Sequence, residues 1–200
     1  MHFFLCDFLL DISQNSMEAG ATKIKILISE TSNYIAFKVV DNGKGMSDEV
    51  LKKVKDPFYT DGVKHTKRKV GLGIPFIFQT SKDCKITSSL GKGTTIEFGF
   101  DLTDIDVMPL GNLSLTILTI FSGNYKTVCD VIVERSLTTE MGFRSYKISR
   151  SELLEVLGDL RSSGSLSLAK QFLESKEEEV NQVRVETMLD IPDKGELLWH

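Results

Sequence analysis

The chain has 200 residues, 41% of them hydrophobic and 26% charged, with a formal net charge of −4. That length holds one large domain, or a full domain plus a small one, and the acidic balance excludes a general nucleic-acid binder, which needs a basic field. Cys6, Cys84 and Cys129 are odd in number, far apart and without a C-x-x-C spacing, so reduced thiols are expected and neither a disulfide framework nor a zinc site.

Met1 to Leu10 is apolar but lacks a basic start and is broken by Asp7, with Asp11 just beyond. Neither export nor membrane insertion is expected, and the chain reads as cytoplasmic. Leu5, Phe8, Leu9 and Ile12 recur at helical spacing and predict a first helix over 4–19, with Gly20 at its C-terminal cap. Ile24, Ile26 and Ile28 alternate with polar residues as in a half-buried strand. Ser32-Asn33 then turns into a partner strand, Tyr34 to Val40, carrying Ile35, Phe37 and Val39 on one face. Ser47 can cap a short helix reaching Val54. Asp56 to Val70 is polar and basic without a period and is expected to be a mobile loop. A third helix runs from Gly73 to Lys82, Pro75 being tolerated in its first turn. Strands at Cys84–Ser88 and Thr94–Phe100, joined through Gly91 and Gly93, close the unit.

Composition shifts at 104–111, which reads as a linker between a first domain over 1–103 and a second unit over 112–200. Leu113, Ile117, Ile120 and Phe121 fit a helix ended by Gly123, while their β-branched content equally suits a strand. Thr127–Glu134 and Phe143–Ile148 form an antiparallel pair on this reading. Ser149 and Glu152 carry a capping-box signature ahead of a helix ended by Gly158. Ser165 to Val183 is amphipathic, with Leu168 and Phe172 expected inward and Glu174, Glu177, Glu178 and Glu179 on the solvated face. The second unit is therefore expected to be a small α+β module that docks on the first. The final Leu197-Leu198-Trp199-His200 either docks on a surface or frays.

Four motifs in the first half carry chemistry, and each alone is weak. Asp11-Ile12-Ser13-Gln14-Asn15-Ser16-Met17-Glu18-Ala19-Gly20-Ala21 places Asp11 and Asn15 on one helix face, as many polar faces do. Asp41-Asn42-Gly43-Lys44-Gly45-Met46 follows a strand, where D-x-G-x-G is commonly a plain turn. Gly71-Leu72-Gly73-Ile74 opens a helix, a general anion site. Gly91-Lys92-Gly93-Thr94-Thr95 turns into the last strand of the unit. No G-x-x-x-x-G-K-[ST] and no G-x-G-x-x-G is present, so neither a P-loop nor a Rossmann site is supported.

In this order the four motifs resemble the Bergerat-fold ATPases: gyrase, the heat-shock chaperones, histidine kinases, anti-sigma serine kinases and mismatch-repair ATPases. The resemblance covers roughly residues 4–100 and implies an α+β fold, a two-layer sandwich with helices on one face of a mixed sheet. It implies ATP and magnesium as ligands. Asp11 would orient the attacking water and Asn15 would ligate the metal. Asp41 would accept the adenine amino proton, with Gly43, Gly45 and Met46 shaping the wall beside the base. Thr94 or Thr95 would complete the adenine contacts, unless both are simply strand formers. Gly71, Leu72 and Gly73 would face the phosphates. Lys64, Lys67, Arg68 and Lys69 would form a cationic lid, or else a solvated basic loop, and Pro57-Phe58-Tyr59 resembles a lid hinge.

One departure stands out: the family's usual glutamate is aspartate at Asp11, a methylene shorter, so binding with slow hydrolysis is expected unless Asp7 or Glu18 substitutes. No phosphoacceptor histidine on a helical hairpin is expected ahead of the first helix, which places the chain nearer the anti-sigma-like members. The expectation is a nucleotide-dependent regulatory switch, or a serine/threonine kinase acting on a partner protein, with a homodimer left open. Two other readings are an ATPase clamp, with Lys126 or Lys147 reaching the nucleotide, and a degenerate scaffold.

Overall fold

The structure, a computed structural model, describes residues 2–54, 73–123 and 129–184. The elements run α1 (Leu5–Glu18), β1 (Lys23–Thr31), β2 (Tyr34–Asp41), α2 (Asp48–Lys53), α3 (Gly73–Thr80), β3 (Asp83–Ser89), β4 (Gly93–Asp101), α4 (Leu113–Phe121), β5 (Asp130–Thr139), β6 (Gly142–Ser149), α5 (Arg150–Leu157) and α6 (Ser163–Asn181). The expected loop 56–70 lies outside the described residues, as does the apolar terminus 197–200.

Alternation decides which face of each strand is covered. Ile24, Ile26 and Ile28 of β1, Ile35, Phe37 and Val39 of β2, and Ile96, Phe98 and Phe100 of β4 point one way and are buried. The helices lie against that face. Leu5, Phe8, Leu9 and Ile12 of α1 fill the space above it, with Phe8 stacked 5.9 Å from Phe100 and Phe37 stacked 5.2 Å from Phe98. The other face is polar. Lys25 pairs with Glu134 at 3.1 Å, and Lys38 with Glu97 at 2.9 Å. The result is the two-layer α/β arrangement with a mixed sheet.

The start of α1 is held by two neighbouring segments. Asp7 Oδ2 accepts the Phe3 and Phe4 amides at 2.8 and 3.0 Å, while the Pro109 and Leu110 carbonyls accept the Leu5 and Cys6 amides at 3.0 Å. Asp7 is thus committed to the start of the helix, which removes it as a substitute for Asp11. Segment 104–111 serves as a cap on α1 as well as a connection.

Strand order is β3-β4-β2-β1-β5-β6 in one sheet. The pairs β1·β2, β2·β4, β3·β4 and β5·β6 are antiparallel, whereas β5 lies parallel to β1 from Lys23↔Asp130 to Thr31↔Thr138. Among the described residues the second half therefore has no sheet of its own, as docking of a separate module would require. It extends the first sheet by two strands, because Val131 and Val133 are spaced to continue the buried stripe of Ile24 and Ile26. Residues 113–121 form a helix. Asn112 Oδ1 accepts the Leu115 amide at 2.8 Å, and Leu113, Ile117, Ile120 and Phe121 are buried against α1 and α6.

The expected register of the last helix is off by one position. Leu168 and Phe172 are exposed, while Ala169, Leu173 and Val180 face inward. A small residue lets α6 approach α4 closely, and the larger side chains are left at the rim. Glu177, assigned to the solvated face, is buried for a different reason. It accepts the Tyr146 hydroxyl at 2.6 Å and lies 3.7 Å from the fully buried Arg135. The Arg135 guanidinium also bonds the buried Glu30 carboxylate and, at 2.7 Å, the Ser136 carbonyl, and Arg184 reaches Glu30 at 2.8 Å.

Candidate functional site

Asp41 ends β2 on the helix-covered face. It is 8% exposed and faces Thr94 across the β2·β4 ladder. Its Oδ1 accepts the Gly43 amide at 2.8 Å and its Oδ2 accepts the Ser16 hydroxyl at 2.9 Å. Each carboxylate oxygen can accept two hydrogen bonds, so Asp41 is oriented by two donors and retains acceptor capacity.

The turn after Asp41 is pinned on three sides. Asn42 Oδ1 accepts the Thr22 and Lys23 amides, both at 2.9 Å. The Lys44 amide donates to the Ala19 carbonyl at 3.0 Å, and the Lys44 carbonyl accepts from Gly91 at 2.8 Å. Gly43 has no room for a side chain, since a Cβ there would stand 2.8 Å from the Ala19 Cβ. Gly45, at φ +62°, owes its glycine to the β3–β4 hairpin: a Cβ would meet the Ser89 carbonyl oxygen at 2.0 Å. The Met46 amide donates to Ser88 Oγ at 2.9 Å, and that hydroxyl lies 2.9 Å from both the Gly93 carbonyl and Thr94 Oγ1.

Thr94 and Thr95 separate cleanly. Thr94 shares the face of its register partner Asp41, whereas Thr95 pairs with Val40 and has the parity of the outward Glu97. Only Thr94 belongs to this cleft.

Asp11 and Asn15 lie on α1, and the Asn15 side chain is exposed. Asp11 Oδ2 is 2.7 Å from His2 Nε2, and a Cβ at Gly73 would lie 3.0 Å from the same oxygen. The Asp11 carboxylate therefore sits at the start of α3. Glu18 is exposed at the end of α1. Lys64, Lys67, Arg68, Lys69, Gly71, Leu72 and the Pro57–Tyr59 hinge lie outside the described residues, and so does Lys126. Lys147 is described, and it pairs at 3.4 Å with Glu134 on the polar face, opposite the helices and three strands from β2, which carries Asp41. It lies on the face of the sheet opposite to Asp41.

Ser88 and His2 of this region lie outside the four motifs, and Ser16 lies within the first without a role expected of it. Ser88 was open to detection, because it pairs with Thr94 in the β3·β4 hairpin and hairpin partners share a face.

A strand-end aspartate held by a helix hydroxyl, a glycine turn and a paired threonine thus come together on the helix-covered side of the mixed sheet. Residues 3–104 match the family model of histidine kinase-, DNA gyrase B- and HSP90-like ATPases, and the chain belongs to that family. It is 32% identical over 89 residues to the sensor kinase CckA of Brucella abortus (strain 2308), a match covering 42% of this chain and 9% of that protein. It is also 32% identical over 94 residues to sporulation kinase C of Bacillus subtilis (strain 168), covering 44% of this chain and 21% of that one. The matched segment thus spans less than a quarter of either relative. Among solved structures, the N-terminal domain of a DNA repair protein is similar in fold, with a TM-score of 0.53 at 15% identity over 82% of this chain and 58% of that chain. A likeness of that extent reaches past residue 104 into the part that adds strands to the sheet.

Among the described residues, no helix is long and apolar enough to cross a membrane.

Proposed function

We propose that the chain binds ATP with magnesium in the cleft between α1, the 41–46 turn, β4 and the start of α3, and that nucleotide state governs its action on a protein partner. The observation that carries this reading is the Asp41 carboxylate, buried, oriented by Ser16 and Gly43, and still able to accept one more donor. An exocyclic amino group fits that acceptor, whereas the keto oxygen of guanine would face a carboxylate, so adenine is preferred. Thr94 would complete the base contacts from the neighbouring strand.

The donor set suits magnesium held largely by its own ligand. Among the described residues no group of three or more His, Cys, Asp or Glu is placed to hold a metal, so Asn15 would supply one oxygen and phosphates and waters the rest. The ion would neutralise phosphate charge. Gly71, Leu72 and Gly73 would present amides to the phosphates, with Lys64, Arg68 and Lys69 closing above them. The partner role, with transfer to a serine or threonine as one form of it, draws on Asp11 being a short base and on the sensor-kinase relatives.

Calorimetry with Mg-ATP tests the reading. Asp41→Asn should weaken binding by more than about tenfold, since a buried acceptor is exchanged for a donor facing the base amino group. Equal affinity of the two proteins would refute the adenine assignment. An ATPase clamp is a second reading, favoured by the integral second half and its likeness to the DNA repair protein's fold. Steady-state phosphate release without a partner distinguishes the two.

A further inference from the structure

We propose that His2 is the positioning residue for Asp11, a role that rests on the reading of Asp11 as the group that takes the proton of the attacking water. His2 Nε2 lies 2.7 Å from Asp11 Oδ2. The imidazole is fixed by rings: it stacks on Phe8 at 4.6 Å with an interplanar angle of 17°, and lies tilted 5.6 Å from Phe76. Its side chain is only 13% exposed, against 41% for Asp11. The nearby carboxylate of Asp7 is occupied with the Phe3 and Phe4 amides and does not compete for the imidazole.

Phe8 and Asp11 stand three apart on α1, so the helix itself sets the ring and the carboxylate side by side. Phe76 comes from α3, whose first residue, Gly73, closes on the same carboxylate oxygen. Oδ2 is thus enclosed by His2 and Gly73. The Nε2–H donates to Oδ2, which sets the carboxylate torsion and leaves Oδ1 as the basic oxygen. In hydrolysis a water proton would pass to Oδ1 while the water oxygen bonds the γ-phosphorus. The bond to the β,γ-bridging oxygen breaks, giving ADP and phosphate. A torsionally free aspartate, one methylene shorter than glutamate, would seldom present that oxygen. Oriented by His2, it presents it continually.

Two variants separate donation from packing. His2→Gln keeps a donor and loses the ring; His2→Phe keeps the ring stack and loses the donor. The expected result is that His2→Phe loses turnover on the order of 10–100-fold at unchanged ATP affinity, while His2→Gln retains most of it. Turnover in His2→Phe equal to that of the parent overturns the proposal, and so does an ATP-bound parent that never turns over. A second readout is independent of activity: long-range ¹⁵N–¹H spectra should show the Nε2–H tautomer of His2 in the parent and lose that preference in Asp11→Asn. An unchanged tautomer pattern overturns the proposal. Failure of the parent to bind Mg-ATP calorimetrically would instead sink the underlying reading.

Discussion

At the scale of single residues, the cleft depends on hydroxyls that orient a charge. Ser16 donates to Asp41 across 25 residues of sequence, from a helix to a strand end. Ser16→Ala should lower ATP affinity roughly fivefold and stability by about 1 kcal/mol, the net worth of one buried hydrogen bond. Calorimetry and denaturant melts would check both, and a smaller loss than that of Asp41→Asn is expected. The thiols make a separate prediction. Burial pushes Cys6 from 9.0 up to about 12 and Cys129 up to about 11. Their thiolates are scarce at neutral pH, so alkylation of native protein should reach the half-buried Cys84 first. Because the folded value of Cys6 lies above the unfolded one, its contribution to stability is complete below pH 9 and is lost as pH climbs from 9 toward 12. Melts across that window should show the decline, and Cys6→Ser should flatten it.

Among the elements, α6 joins a buried charge cluster in addition to its apolar face. Arg135 of β5 is fully buried between Glu30 of β1 and Glu177 of α6, and Tyr146 of β6 closes the group. Arg135→Ala should cost about 3–5 kcal/mol, because Glu177 would lose its buried cation and Glu30 would keep only the half-exposed Arg184. Replacing Glu30, Arg135 and Glu177 together by Leu, Met and Leu should restore most of it. Chemical denaturation of the two variants checks this, and equal losses would show that packing alone holds α6.

Periodicity made most elements legible. The inward faces of α1, β1 and β2 follow from Leu5, Phe8, Leu9 and Ile12 and from two alternating runs. The motif around Asp41 was legible because a glycine turn after a strand leaves a local signature. The α6 register was not, since Ala169 is inward for closeness of approach and Glu177 for its partners, and neither reason shows in hydropathy. His2, Ser16 and their carboxylates meet through tertiary contact, which leaves no spacing to read.

For the whole molecule, the continuous sheet changes what a shortened chain should do. A fragment ending at residue 104 keeps all four motifs but strips β5 from β1 and α4 from α1. It exposes one face of α1 and an unpaired β1 edge carrying Ile24, Ile26 and Ile28. The fragment should aggregate or lose amide protection in β1, and should bind Mg-ATP poorly. A soluble fragment with parental affinity would show that the second half is dispensable for the site, as a separate docking module would be.

The parallel pairing of β1 with β5 also dictates an order of events during synthesis. One neighbour of β1 follows it at once, while the other is more than a hundred residues away along the chain. As the chain emerges from the ribosome, β1 and β2 can form their hairpin early. The far side of β1 must then wait, open to pairing with another nascent chain, until Thr139 is clear of the ribosome. Stalled nascent chains of increasing length, probed by proteolysis, should show β1 protected only after that point. The nucleotide cleft, although encoded almost entirely in the first half, would be among the last features of the molecule to become rigid.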